Sequence, residues 1–157
     1  MYIVVVLSLM LVLPVLSVVT DRHVPGSGTG LVLLAGKWFV FWAVGVRLVS
    51  AGAHQAINPK YTAGTILGLK TPEPWLVVRE LGFANIAIGT VAAGSILAHS
   101  WLTASAVAGA VFYGLAGANH VLTKGRNRLE NVAMLSDLFA CGILGAYCFT
   151  VAFANPS

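Results

Sequence analysis

Charge is the scarcest commodity in this sequence. Nine basic and five acidic residues stand among 157, a charged share of 9%. A water-soluble domain carries roughly 25%. The apolar share is 58%, and a chain this short leaves too much of its surface outside any core to stay soluble with that content. Lipid must cover the remainder. The net charge of +4 does not argue for a nucleic-acid partner. Its basic residues are few and lie between apolar runs rather than in one patch, which is how membrane topology signals are arranged. Cysteine is equally sparse. Cys141 and Cys148 are seven residues apart in an apolar run, so a helix would separate them by about 10 Å along its axis, too far for a bridge. They read as small packing residues. The spacings HxxxH, HExxH and CxxC are missing, which removes the common metal signatures. Short runs of alternating polarity, the mark of membrane β-strands, are missing too.

What remains is a set of long apolar runs. Five are long enough to cross a bilayer as helices, which takes about 20 residues each: residues 2–20, 31–57, 76–98, 102–122 and 129–154. The expected fold is therefore all-α, a single integral membrane domain of five transmembrane helices embedded in the lipid bilayer. The punctuation agrees. DRHVPGSGTG (21–30) is a polar turn, and Asn58-Pro59 ends the second helix. Residues 62–69 form either a short interfacial helix or a plain loop. The brief link before Leu102 predicts that the third and fourth helices make an antiparallel hairpin. The first run is expected to be retained as a span, since it lacks a basic leader and a small-x-small cleavage site; a cleaved signal peptide is the alternative.

Lys60, Lys70, Lys124, Arg126 and Arg128, with Arg79 nearby, fall on the side that holds the N-terminus. The positive-inside rule places that side in the cytoplasm and the C-terminus outside, across a plasma (inner) membrane.

Two charges sit deep in apolar runs. Arg47 is ten residues before Ile57, about 15 Å from the inner end of its helix, and Asp137 is eight residues after Leu129, about 12 Å from the inner end of its own. Opposite charges at matching depth predict a pair, because intramembrane charges face the bundle and find partners. The same arithmetic puts His54, Gln55, Glu80, Asn85, Asn119 and His120 in the inner half. Arg47, His54, Glu80, Asn85, Asn119, His120 and Asp137 are thus the candidate ligand-binding cluster. Arg47 would be its fixed positive charge, Asp137 the counter-ion, and Glu80 and the histidines its titratable groups. A purely structural pair that pins helix two to helix five is the competing reading, and His54, His120 and Glu80 as metal or haem ligands is another. Small residues repeat at four-residue spacing at Ala106, Ala110, Gly114 and Ala118, and Gly82, Asn85, Gly89 and Ala93 share a face; both stripes predict close helix packing. Trp38 and Trp42 read as interfacial or lipid-facing.

KWFVFWAVGVRL (37–48), RELGFANIAIG (79–89) and ENVAMLSDLF (130–139) resemble small multi-pass membrane proteins of the DoxX-like kind, and more narrowly a bacterial and fungal group with similar segments. The resemblance implies a four-helix core plus one further span. It also implies a link to quinone-linked sulfur oxidation or to membrane redox complexes, and no residue roles. The functional expectation is a small-ligand or ion-handling protein, or an accessory subunit, alone as a homo-oligomer or within a larger membrane complex. The alternative is a membrane oxidoreductase subunit that uses a quinone or haem.

Overall fold

The computed structural model describes residues 2–24, 29–66 and 74–154. It is an all-α bundle with no strand among the described residues. Five helices are long and apolar enough to cross a membrane: α1 (Tyr2–Arg22), α2 (Leu31–Ile57), α3 (Pro74–Gly94), α4 (His99–Leu122) and α5 (Arg128–Phe153). The spans read from the sequence are recovered with ends shifted by a few residues, as fraying and capping dictate. Between α2 and α3, Pro59–Tyr61 and Thr62–Ile66 form two short helical turns. The rest of the stretch expected at 62–69 lies outside the described residues.

Two helices are locally widened. In α1 a π-helical turn covers Ser8–Val12, just ahead of Pro14. A proline ring collides with the carbonyl four residues before it and offers no N–H, so a wider turn relieves the conflict. In α2 the π-helical stretch is Val40–Val46 and ends against Arg47. A π turn is one residue longer than an α turn and leaves the backbone ladder imperfect. Here Tyr113 of α4 donates its hydroxyl hydrogen to the Ala43 carbonyl, tying α4 to the widened part of α2.

The helices meet through small residues, as lipid-embedded helices must when no hydrophobic drive separates protein from solvent. Helix α3 packs chiefly on α2. At that seam a methyl group on Gly52 would lie 2.5 Å from the Gly82 carbonyl oxygen, and one on Gly89 would lie 2.7 Å from the Val49 nitrogen. Helix α4 packs chiefly on α5, where Gly117 lies against Leu138 and Gly109 against Leu144. The stripe expected on α4 packs in part: Ala106 is fully buried, Ala110 packs against the core and Gly114 lies against Cys141, while Ala118 is exposed. The buried face also takes in Ser105, Gly109, Tyr113 and Gly117. The short link between α3 and α4 does reverse the chain, yet the two helices touch only lightly, because each has a better-fitting partner in α2 or α5.

Helix α1 docks on α2 by polar contacts that the sequence reading assigned elsewhere. The indole N–H of Trp42 donates to Ser17 Oγ (2.9 Å) and that of Trp38 to Asp21 Oδ2 (2.9 Å). Lys37 Nζ joins the same carboxylate oxygen at 2.7 Å. Both tryptophans therefore direct their polar edge at α1 rather than outward. The turn between α4 and α5 is capped on both sides. Arg126 donates to the His120 carbonyl (2.6 Å) at the end of α4. Asn127 Oδ1 accepts from the backbone N–H groups of Leu129 (2.8 Å) and Glu130 (3.0 Å), while Glu130 Oε2 accepts from that of Asn127 (2.8 Å), a reciprocal cap that starts α5.

Candidate functional site: a polar-floored cavity in the bundle

At the end of the bundle that carries the N-terminus, the helices separate around a cavity of about 430 Å³. That is within the range of small-molecule sites, roughly 300–1,000 Å³. Helix α2 contributes Arg47, Ala51, His54 and Gln55; α4 contributes Tyr113 and His120; α5 contributes Ala133 and Asp137; and α3 contributes Asn85. Tyr2 of α1 and Tyr61 of the connecting turn complete the polar part. Val6, Leu48 and Phe112 supply apolar wall. Val5, Ser50 and Leu81 also line it and are exposed on the outside of the bundle, so the cavity is open rather than sealed.

Five of the seven residues proposed from the sequence share this cavity: Arg47, His54, Asn85, His120 and Asp137. The other two do not. Glu80 and Asn119 are exposed and absent from its lining. The reason is azimuth. Five residues separate Glu80 from Asn85, a turn of about 140° around the helix, and Asn119 is turned about 100° from His120. Depth along the axis placed them at the right height and on the wrong side.

The expected Arg47–Asp137 pair is also corrected. No nitrogen–oxygen contact within 4.0 Å joins them. Both line the same cavity and interact electrostatically without contact. Tyr2 and Tyr113 lie within electrostatic reach of both charges. The forked contact that arginine and carboxylate form when they touch is not made here.

Among the described residues four buried polar atoms have no partner: Ser105 Oγ, away from the cavity, and Arg47 Nε, Asn85 Oδ1 and Asp137 Oδ1 on residues that line it. Asn85 is 3% exposed and Asp137 is 5% exposed. Buried polar atoms are nearly always hydrogen-bonded, so each exception asks for an explanation. Asn85 is held in place by donating one amide hydrogen to Gln55 Oε1 at 2.8 Å, which leaves its oxygen unpaired. His54 packs edge-on against Tyr61, ring centres 4.9 Å apart. Among the described residues no three histidine, cysteine, aspartate or glutamate side chains converge as a metal site.

Sequence reasoning passed over Tyr2, Gln55, Tyr61 and Tyr113 as site residues. Tyr113 carried a usable signal, since it stands four residues from both Gly109 and Gly117 on the small-residue face that packs inward. Tyr61 carried none, because its position depends on how the turn after Pro59 folds back.

No protein-family model, no curated protein and no solved structure matches the chain.

Proposed function

We propose that this is a membrane protein that binds a small molecule in the cavity between its helices, as a ligand-handling protein or accessory subunit and not as a catalyst in its own right. One observation carries the reading. Three residues from three different helices, each with a buried polar atom that has no partner, line one open cavity. Leaving a polar group buried without a partner costs about 1–3 kcal/mol, and three such costs in one place are offset when a ligand supplies the missing bonds. Immersion in a bilayer is supported by large apolar side chains turned outward along the spans, such as Val4 at 66%, Leu115 at 68% and Phe149 at 65% exposure. The basic residues Lys60, Arg79, Lys124, Arg126 and Arg128 gather at the cavity end, which supports a cytoplasmic placement of that end in an inner membrane.

Native mass spectrometry of the full chain, purified from membranes in mild detergent, tests the proposal. The wild-type protein is expected to carry a bound small molecule that Ala133→Phe loses, because Ala133 is a small, 94%-shielded wall residue (6% exposed) whose enlargement fills the space. The same mass retained in both proteins, or found in neither, contradicts it.

A further inference from the structure

We infer that the cavity takes an uncharged amphiphile, carrying neither an ion nor a zwitterion, whose head both donates and accepts hydrogen bonds, a hydroxylated lipid of the monoacylglycerol type. This rests on the ligand-binding reading above and names the chemistry of that same site.

The inventory of missing bonds sets the head. Arg47 Nε–H needs an acceptor, while Asn85 Oδ1 and Asp137 Oδ1 each need a donor. A hydroxyl group does both at once, and a vicinal diol offers two donors and two acceptors in a compact unit. An ester or a simple hydrocarbon meets at most the arginine.

Charge narrows the class further. The lining carries one guanidinium and one carboxylate that do not neutralise each other by contact. A net anion gains from Arg47 and is repelled by Asp137; a net cation gains from Asp137 and is repelled by Arg47. Where water is largely excluded these opposing energies are large and nearly cancel, so neither ion has a net attraction. A neutral head avoids both repulsions and still satisfies all three atoms.

The walls set the body. Val6, Leu48 and Phe112 give the cavity an apolar side, and Val5 and Leu81, which also line it, are 43% and 41% exposed on the bundle exterior. Both belong to helices long and apolar enough to cross a membrane. A chain leaving the cavity beside them runs into acyl chains rather than into water, so a lipid can keep its tail in the bilayer while its head is held inside.

A series of probes with one tail and different heads tests the inference on the full-length protein, read by native mass spectrometry in detergent. The probes are monoolein, methyl oleate, oleate, oleylamine and the zwitterionic lyso-oleoyl-phosphatidylethanolamine. Monoolein is expected to bind at least about tenfold more tightly than methyl oleate, the loss expected when a buried acceptor goes unpaired, and more tightly than either ion. Two variants sharpen this. Asp137→Asn leaves the site cationic and should shift its preference to oleate; Arg47→Gln leaves it anionic and should shift its preference to oleylamine. A purely structural role for either residue would not redirect head-group choice. Equal binding of all five probes overturns the inference and leaves the cavity reading standing. Tightest binding of the zwitterion or of oleate to the wild-type protein overturns it in favour of a charged head. Absence of binding by every probe, with no bound molecule lost in Ala133→Phe, defeats both.

Discussion

The two sides of α2 are built on opposite plans. Toward α3 it presents Gly45, Gly52 and, between them, Val49, and meets Gly82 and Gly89 so closely that a single added methyl would strike backbone. Toward α1, α4 and α5 its last three turns present Arg47, Ala51 and His54 to open space. One face spends every ångström on backbone contact, and the other holds its neighbours off and leaves polar atoms unpaired. In a membrane both outcomes need explaining, since packing is what holds helices together there and unpaired polar groups are expensive. The α2–α3 seam is the close-packed side of the helix, and the opposite face borders the cavity.

The seam is the place where one substitution should cost most. Gly52→Leu forces a side chain into the Gly82 carbonyl and Ile86. The expected loss is more than about 3 kcal/mol, beyond ordinary overpacking because backbone must move, measured by denaturant unfolding in bicelles. A loss below 1 kcal/mol would show that the seam is not close-packed. The open face should respond in the other sense. If Asp137 were locked in an ion pair, its removal would cost about 3–5 kcal/mol. With its Oδ1 unpartnered, Asp137→Leu is expected to leave stability unchanged or raise it by about 1–3 kcal/mol in the same assay, while retention of the proposed ligand falls. The smallest effect belongs to the tie between α1 and α2. Lys37 and Asp21 remain partly exposed, at 34% and 20%, so solvent screens them, and Lys37→Ala should cost at most about 0.2–1 kcal/mol.

Much of this contrast is legible in the sequence, and its limits are instructive. The five spans follow from length and composition, because hydrocarbon thickness fixes how many apolar residues a helix needs. Arg47 and His54 share a face because both lie after the widened stretch of α2, where 3.6-residue periodicity applies again. The glycines of α3 announce the seam by their spacing. Contacts across that stretch are another matter. Seven residues of π helix rotate everything before Val46 relative to everything after it, so the polar edges of Trp38 and Trp42 are not where an uninterrupted helix would aim them. Glu80 and Asn119 mark a second limit, since depth arithmetic gives height but says nothing of azimuth between helices. The Arg47–Asp137 contact marks a third. Matching depth brings two charges to one level, and whether they touch depends on what the neighbouring tyrosines and α1 leave between them.

The Arg47 guanidinium and the Asp137 carboxylate line one cavity without touching. Solid-state NMR can measure the distance between the guanidinium carbon and the carboxyl carbon directly, in ligand-free protein reconstituted in bilayers and labelled at these two residues. The expected dipolar coupling is weaker than that of any hydrogen-bonded arginine–carboxylate pair. A coupling as strong as a forked ion pair would mean that the two groups close on each other, and the cavity with them.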